Sequence, residues 1–204
     1  MIGIVDYGMG NLESVRKAFD ALGFDATWIR SADDLAACDR VVLPGVGAFG
    51  RAMENLRQLD LVEPLRAVIE DGRPFLGICL GLQLLFESSD EYGTHDGLGW
   101  IPGHVRRLPN TVRVPHVGWN TVTQPRESRL FEGIADGSYF YFVQSYYVDP
   151  ADPALVAGET EHGLTFAAAV ERDNVLGVQF HPEKSQQAGL RLLANFAKLP
   201  RSAS

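Results

Sequence analysis

A cysteine held between two glycines at the junction of a strand and a helix limits this chain more than any other stretch: Gly77-Ile78-Cys79-Leu80-Gly81-Leu82-Gln83. The apolar run Phe75 to Ile78 leads in as a strand, and Leu80 to Phe86 leads out with a helical period. Small residues two before and two after the turn let the backbone reverse sharply, so Cys79 should stand above a sheet edge at a helix N-terminus. That position favours the thiolate, and backbone N–H groups there can stabilise an oxyanion. Cysteine is often simply buried. A core cysteine in a strand, however, has no need of flanking glycines. The expectation is a sheet carrying a nucleophile elbow, and cysteine chemistry.

A second triplet answers the first. Val175 to Phe180 reads as a strand, and His181-Pro182-Glu183 follows where its C-terminal end should lie. Proline fixes the local backbone, so that His181 and Glu183 leave the strand with their side chains directed together. A histidine near a thiol can take its proton, and a carboxylate can orient the imidazole and stabilise its cation. The same H-x-E fragment could belong to a metal site, but a third ligand at recognisable spacing is missing. No metal is expected.

Strands and helices alternate through the first half. Ile2 to Val5 is a short strand, Asp6 to Gly10 a turn, and Asn11 a cap for a helix with Leu12, Val15, Phe19 and Leu22 on one face and Gly23 as its stop. Further strands are expected near Ala26 to Ile29 and at Val41 to Leu43, then helices at Phe49 to Leu56 and Val62 to Asp71. Repeated units of this kind imply an α/β fold with a parallel sheet covered on both faces. Ligands bind outside the carboxyl ends of such strands. The loop Pro44-Gly45-Val46-Gly47, Cys79 and His181 all follow strand ends, so they should converge. From Gly103 to Val170 short β-rich pieces between Pro, Gly and Asp turns suggest antiparallel additions. A last helix is expected from Gln187 to Leu199, with Leu190, Leu193, Ala194 and Ala197 toward the core. With no internal repeat or linker, residues 1–204 read as a single domain.

Composition narrows the partners. A formal charge of −8 without a basic stripe argues against nucleic acid and anionic membrane surfaces. No signal pattern or bilayer-length apolar run is present, so a cytoplasmic location is expected. Two cysteines, Cys38 and Cys79, cannot build a disulfide framework, though one bridge is possible. Gly8-Met9-Gly10 lacks the third glycine of a dinucleotide loop, with Glu13 in its place, and reads as a plain turn. No cofactor is expected.

With these residues in hand, the chain resembles the class I (triad) glutamine amidotransferases over nearly its whole length. The elbow and the His-Pro-Glu triplet are shared by that family. Six separated blocks point to one subfamily, the glutaminase subunits of imidazole glycerol phosphate synthases. They are Asp6 to Asn11, Pro44 to Phe49, Gly97 to Gly103, Pro115 to Asn120, Tyr141 to Tyr147 and Gln179 to Ser185. Many relatives carry a Ser-Gly-Gly-Pro type loop where this chain has Pro44 to Gly47. Two departures stand out: Gln144 replaces an expected histidine, and Trp100 replaces a more usual Leu or Phe. The first puts any proton-dependent role at that position in doubt.

The resemblance implies a three-layer, flavodoxin-like fold with a mostly parallel central sheet. It also implies that Cys79 attacks the carboxamide of glutamine, that His181 shuttles the proton, and that Glu183 orients His181. Leu80 and the Val46-Gly47 loop would supply oxyanion donors, and Gln83 and Glu91 would help bind glutamine. The ammonia would pass to a (β/α)8-barrel cyclase in a heterodimer. There it would join a phosphoribulosyl-formimino aminoimidazole carboxamide ribotide, giving imidazole glycerol phosphate and aminoimidazole carboxamide ribotide in histidine biosynthesis. Asn11, Trp119 and Lys184 are the implied interface residues. Rival readings are the glutaminase of another synthetase, a self-sufficient cysteine hydrolase of the same fold, and a silent interaction module. The complete triad disfavours the last.

Overall fold

In the computed structural model, which describes residues 1–202, the first half runs β1 (Ile2–Val5), α1 (Leu12–Ala21), β2 (Ala26–Ile29), α2 (Ala32–Ala36), β3 (Arg40–Leu43), α3 (Phe49–Gln58), α4 (Val62–Glu70), β4 (Phe75–Ile78) and α5 (Leu80–Leu84). The second half is strand-rich: β5 (Phe86–Ser89), β6 (His95–Asp96), β7 (Ile101–Arg107), β8 (His116–Val122), β9 (Ser138–Gln144), β10 (Tyr146–Pro150), β11 (Val156–Glu161), β12 (Thr165–Arg172) and β13 (Val175–Val178). The last described helix is α6 (Gln186–Lys198). No described helix is long and apolar enough to cross a membrane.

One mixed sheet organises the molecule, in the order β2-β1-β3-β4-β13-β12-β10-β7-β5-β6 with β11 on β12. From β2 to β13 all neighbours are parallel. Beyond β13 they are antiparallel except for β5 with β7. The parallel strands are apolar on both faces, as a doubly covered sheet requires. Val41 and Leu43 pack under α2 to α4, while Val42 faces the opposite core beneath α1 and α6. Phe19 of α1 and Phe196 of α6 are fully buried with ring centroids 6.5 Å apart. Burial of each stabilises the fold by roughly 1.5–3 kcal/mol. The expected core residues Leu193 and Ala197 are buried with Leu192 and Phe196, whereas Leu190 and Ala194 are half-buried.

The chain goes from β1 to β2 on one side and to β3 on the other, which makes a topological switch between β1 and β3. The loops after β1 and β3, the elbow after β4 and the turn after β13 therefore share the carboxyl edge. Two glycines, Gly77 and Gly177, lie in register on neighbouring strands. A Cβ on Gly77 would sit 2.7 Å from Gly81 O and Leu82 N, and one on Gly177 2.4 Å from Leu82 Cδ1. Their bareness lets α5 lie directly on the sheet.

Two local expectations need correction, and one short element is added. The helix after Cys79 ends at Leu84, not Phe86, because the returning segment captures the carbonyls that would extend it: Leu98 N–H donates to Leu84 O, and Trp100 and Ile101 N–H donate to Leu85 O. Phe86 is thereby freed to pair with Ile101. Asn11 occupies the N-cap position of α1 but makes no side-chain cap bond. The short helix α2 was not anticipated, although Ser31 and Asp34 form a reciprocal capping box. Trp100 is buried edge-on to Phe75, centroids 5.4 Å apart, which accounts for a large aromatic at that position. Cys38 and Cys79 are both free thiols.

Candidate active site

The elbow is a strained turn. Cys79 has φ 55° and ψ −109°, in a region that costs a non-glycine residue of the order of 1–3 kcal/mol. Close backbone approach over-determines it: Cys79 N–H donates to Val178 O at 2.8 Å, and a Cβ on Gly81 would come within 1.7 Å of Leu43 O. Cys79 is 5 % exposed. Gln179 Nε2 donates toward its sulfur at 3.7 Å, and Gln83 Nε2 donates to Gln179 Oε1 at 3.1 Å and to Tyr146 O at 3.2 Å. A chain of amides thus ends on the sulfur with a donor.

His181 follows β13 and is tied to β9, its N–H donating to Tyr141 O at 2.9 Å. Ser185 completes the clamp, donating to His181 O at 2.6 Å and accepting from Tyr141 N–H at 3.0 Å. Glu183 lies in the 3-10 turn Pro182–Lys184, and its Oε1 is 2.8 Å from His181 Nδ1. Both side chains are almost wholly buried. His181 Nε2 has no hydrogen-bond partner of ordinary geometry, nor has Glu183 Oε2. Burial opposes the imidazolium. Cys79 and Glu183 outweigh it through hydrogen bonding and negative charge, and the His181 pKa is pushed up to about 10.

A pKa raised above the ordinary 6.5 means that protonation of His181 stabilises the fold fully below pH 6.5, progressively less above it, and not at all beyond about pH 10. Glu183→Gln should therefore lower the melting temperature most at pH 6, with the gap to the parent closing toward pH 10. A gap independent of pH would rule out this charge pairing.

In front of Cys79 lies a cavity of about 260 Å³. All six residues expected in glutamine binding, oxyanion stabilisation and attack line it: Val46, Gly47, Cys79, Leu80, Gln83 and Glu91. Glu91 also accepts the Phe49 N–H at 2.6 Å, capping α3, whose own N-cap Ala48 offers no side-chain acceptor. The Leu80 N–H is already engaged with Gly45 O at 3.3 Å. Among the described residues no group of three or more His, Cys, Asp or Glu could hold a metal.

Gln144 lines the same cavity and is buried. Its Nε2 lies 3.2 Å from His116 Nδ1, and its Oε1 has no partner. Asn120 Nδ2 donates to Glu161 O and faces His116 Nε2, so Nε2 accepts and the ring proton sits on Nδ1. The reversed amide of Gln144, with oxygen toward His116, satisfies both groups. Burial, then the neighbouring His162, pushes the His116 pKa down to about 4. The His116 imidazole is therefore neutral at neutral pH, and the pair carries no charge.

The expected interface residues stand away from the cavity. Trp119 and Tyr141 pair across the β8–β9 ribbon, ring centroids 6.0 Å apart, and Lys184 Nζ lies 6.0 Å from the Tyr141 ring centroid. Val117, Trp119 and Tyr139 are exposed on this ribbon, and Phe140 and Phe142 alternate inward. Asn11 is exposed at the start of α1. Sequence reasoning gave no role to Tyr7, Tyr141, Gln179 or Ser185. All four lie in quoted blocks, but their contacts depend on tertiary pairing.

Comparison with known proteins points the same way. The family described as glutamine amidotransferase class-I matches residues 3–199. The chain is 54 % identical over 202 residues to the imidazole glycerol phosphate synthase subunit HisH of Moorella thermoacetica, covering 99 % of this chain and 96 % of that one. It is 52 % identical over 196 residues to the protein of the same name from Aquifex aeolicus, covering 96 % and 95 %. Among solved structures, PurLQS from Thermotoga maritima superposes with a TM-score of 0.78 at 16 % identity, covering 96 % of both chains. A glutamine amidotransferase superposes with a TM-score of 0.77 at 20 % identity, covering 97 % of each.

Proposed function

The chain belongs to the class-I glutamine amidotransferases, and from that premise we propose how its site works as the glutaminase subunit of an imidazole glycerol phosphate synthase in histidine biosynthesis. Cys79 is the nucleophile. Its sulfur attacks the carboxamide carbon of glutamine, and the proton held by His181 goes to the departing ammonia. A γ-glutamyl thioester remains on Cys79. His181 then takes a proton from water, the hydroxide attacks the thioester, and glutamate leaves as the thiolate is restored. Glu183 orients the imidazole and stabilises its cation. Gln83 and Glu91 hold glutamine, with Glu91 suited to its ammonium group. Leu80 N–H and a donor from the Val46-Gly47 loop stabilise the oxyanion once the Leu80–Gly45 bond is released.

One observation carries this reading. The thiol sits between a buried His181–Glu183 pair and a cavity lined by the two polar side chains and the glycine loop.

The partner is a (β/α)8-barrel cyclase that takes the ammonia. Its docking face is the outer side of the β8–β9 ribbon, with Trp119 as an aromatic anchor, Lys184 as a charge partner and Asn11 as a polar contact. The apolar exposure of this ribbon supports the assignment. Trp119→Ala or Lys184→Glu should weaken binding of the cyclase by roughly tenfold or more, or uncouple ammonia delivery, while the chain stays folded. Titration of each variant with the cyclase, alongside glutamate and imidazole glycerol phosphate yields, provides the test. Parent-like binding and coupling in both variants would remove the interface assignment.

A further inference from the structure

Tyr7, in the loop after β1, is fully buried, and its hydroxyl donates to Pro44 O at 2.8 Å. Its own carbonyl accepts from Asn55 Nδ2 of α3 at 2.9 Å, which fixes the residue at both ends. Gly45 lies over the hydroxyl, since a Cβ there would come within 2.3 Å of the Tyr7 oxygen. The rest of the loop follows suit: a Cβ on Gly47 would meet Met9 Cε at 2.7 Å, and one on Gly10 would lie 3.5 Å from the Gly45 backbone. Burial, and then the charge of Cys79, push the Tyr7 pKa up, so the phenol stays a donor.

The next carbonyl along the chain, Gly45 O, accepts the Leu80 N–H at 3.3 Å. The two bonds are one residue apart. Holding Pro44 O fixes the plane of the Pro44–Gly45 peptide, and the following peptide then delivers its oxygen to Leu80. We infer that Tyr7 is a positioning residue that restrains the Pro44–Gly47 loop in the arrangement where the Leu80 amide is occupied, and so holds back glutamine hydrolysis until the partner acts. This rests on the proposed function of the site.

Tyr7→Phe keeps the ring and removes the hydroxyl. In the complex with the cyclase subunit, glutaminase turnover without the cyclase's ribotide substrate should rise about fivefold, the population shift that loss of one ordinary hydrogen bond allows. Turnover with that substrate should stay within about twofold of the parent, since the restraint is already released there. The stimulation factor falls while the KM for glutamine holds. Hydrogen exchange of the Leu80 amide in the free chain should accelerate by a similar factor, with the Val41 to Leu43 amides unchanged.

An unchanged resting rate overturns the inference. So does a fall in both rates, an equal acceleration of exchange in β3, or failure of the variant to assemble, each of which marks Tyr7 as merely structural. If the unaltered complex fails to hydrolyse glutamine even with the ribotide present, the proposed function falls. The exchange measurement still judges Tyr7.

Discussion

Cys79→Ala is expected to lower glutamine-dependent synthesis by the assembled complex by a factor on the order of 10⁴ or more, as removal of an essential nucleophile does. Ammonia-dependent synthesis should stay close to that of the parent, because only ammonia generation needs the thiol. The alanine fits where the sulfur was, against Val143 O and the Gln179 amide, so the fold should survive. Steady-state rates with glutamine and with ammonium chloride, on complex of verified stoichiometry, decide the matter. Loss of both activities with the complex intact would show that Cys79 does something other than release ammonia.

The second large effect concerns the unaltered protein. With the Leu80 amide bonded to Gly45 O, the free chain should be a poor glutaminase. Binding of the cyclase together with its ribotide substrate should raise turnover by about 10²–10³, the usual worth of a donor aimed at an oxyanion. Gly47, at φ 107°, gives the adjoining peptide the freedom to turn without a side-chain penalty. The measurement is glutamate release by the chain alone, with the cyclase, and with the cyclase plus ribotide. Equal rates in all three would sink the switch and favour a self-sufficient hydrolase.

Much of this architecture was legible because it is local. Short apolar runs ending in glycine loops marked β1, β3 and β4, and glycines around Cys79 marked the elbow. The position of His181 and Glu183 followed from one strand and one proline. What escaped was decided across the sequence. The length of α5 depends on which segment takes the carbonyls of Leu84 and Leu85, and that segment arrives from Leu98 to Ile101. Gln83 appears to periodicity as a plain helix residue, yet it is buried against Gln179. Tyr7 carries no motif of its own chemistry. Its meaning comes from a carbonyl far along the chain, Pro44 O. The order of β7, β10 and β12 could not be read either, since short alternating strands fix faces but not neighbours.

The paired glycines of β4 and β13 bear on whether this chemistry is portable. Grafting Cys79, His181 and Glu183 onto another open sheet would copy the proposed triad and still leave the sulfur at the wrong height. A methyl group at Gly77 meets the backbone of α5 well inside van der Waals distance, and one at Gly177 crowds the Leu82 side chain beneath the same helix. The helix would lift, and the thiol with it, away from the histidine. A transplant therefore has to carry two absences along with three side chains, and a search of scaffolds for compatible sites should begin with strands bare in register.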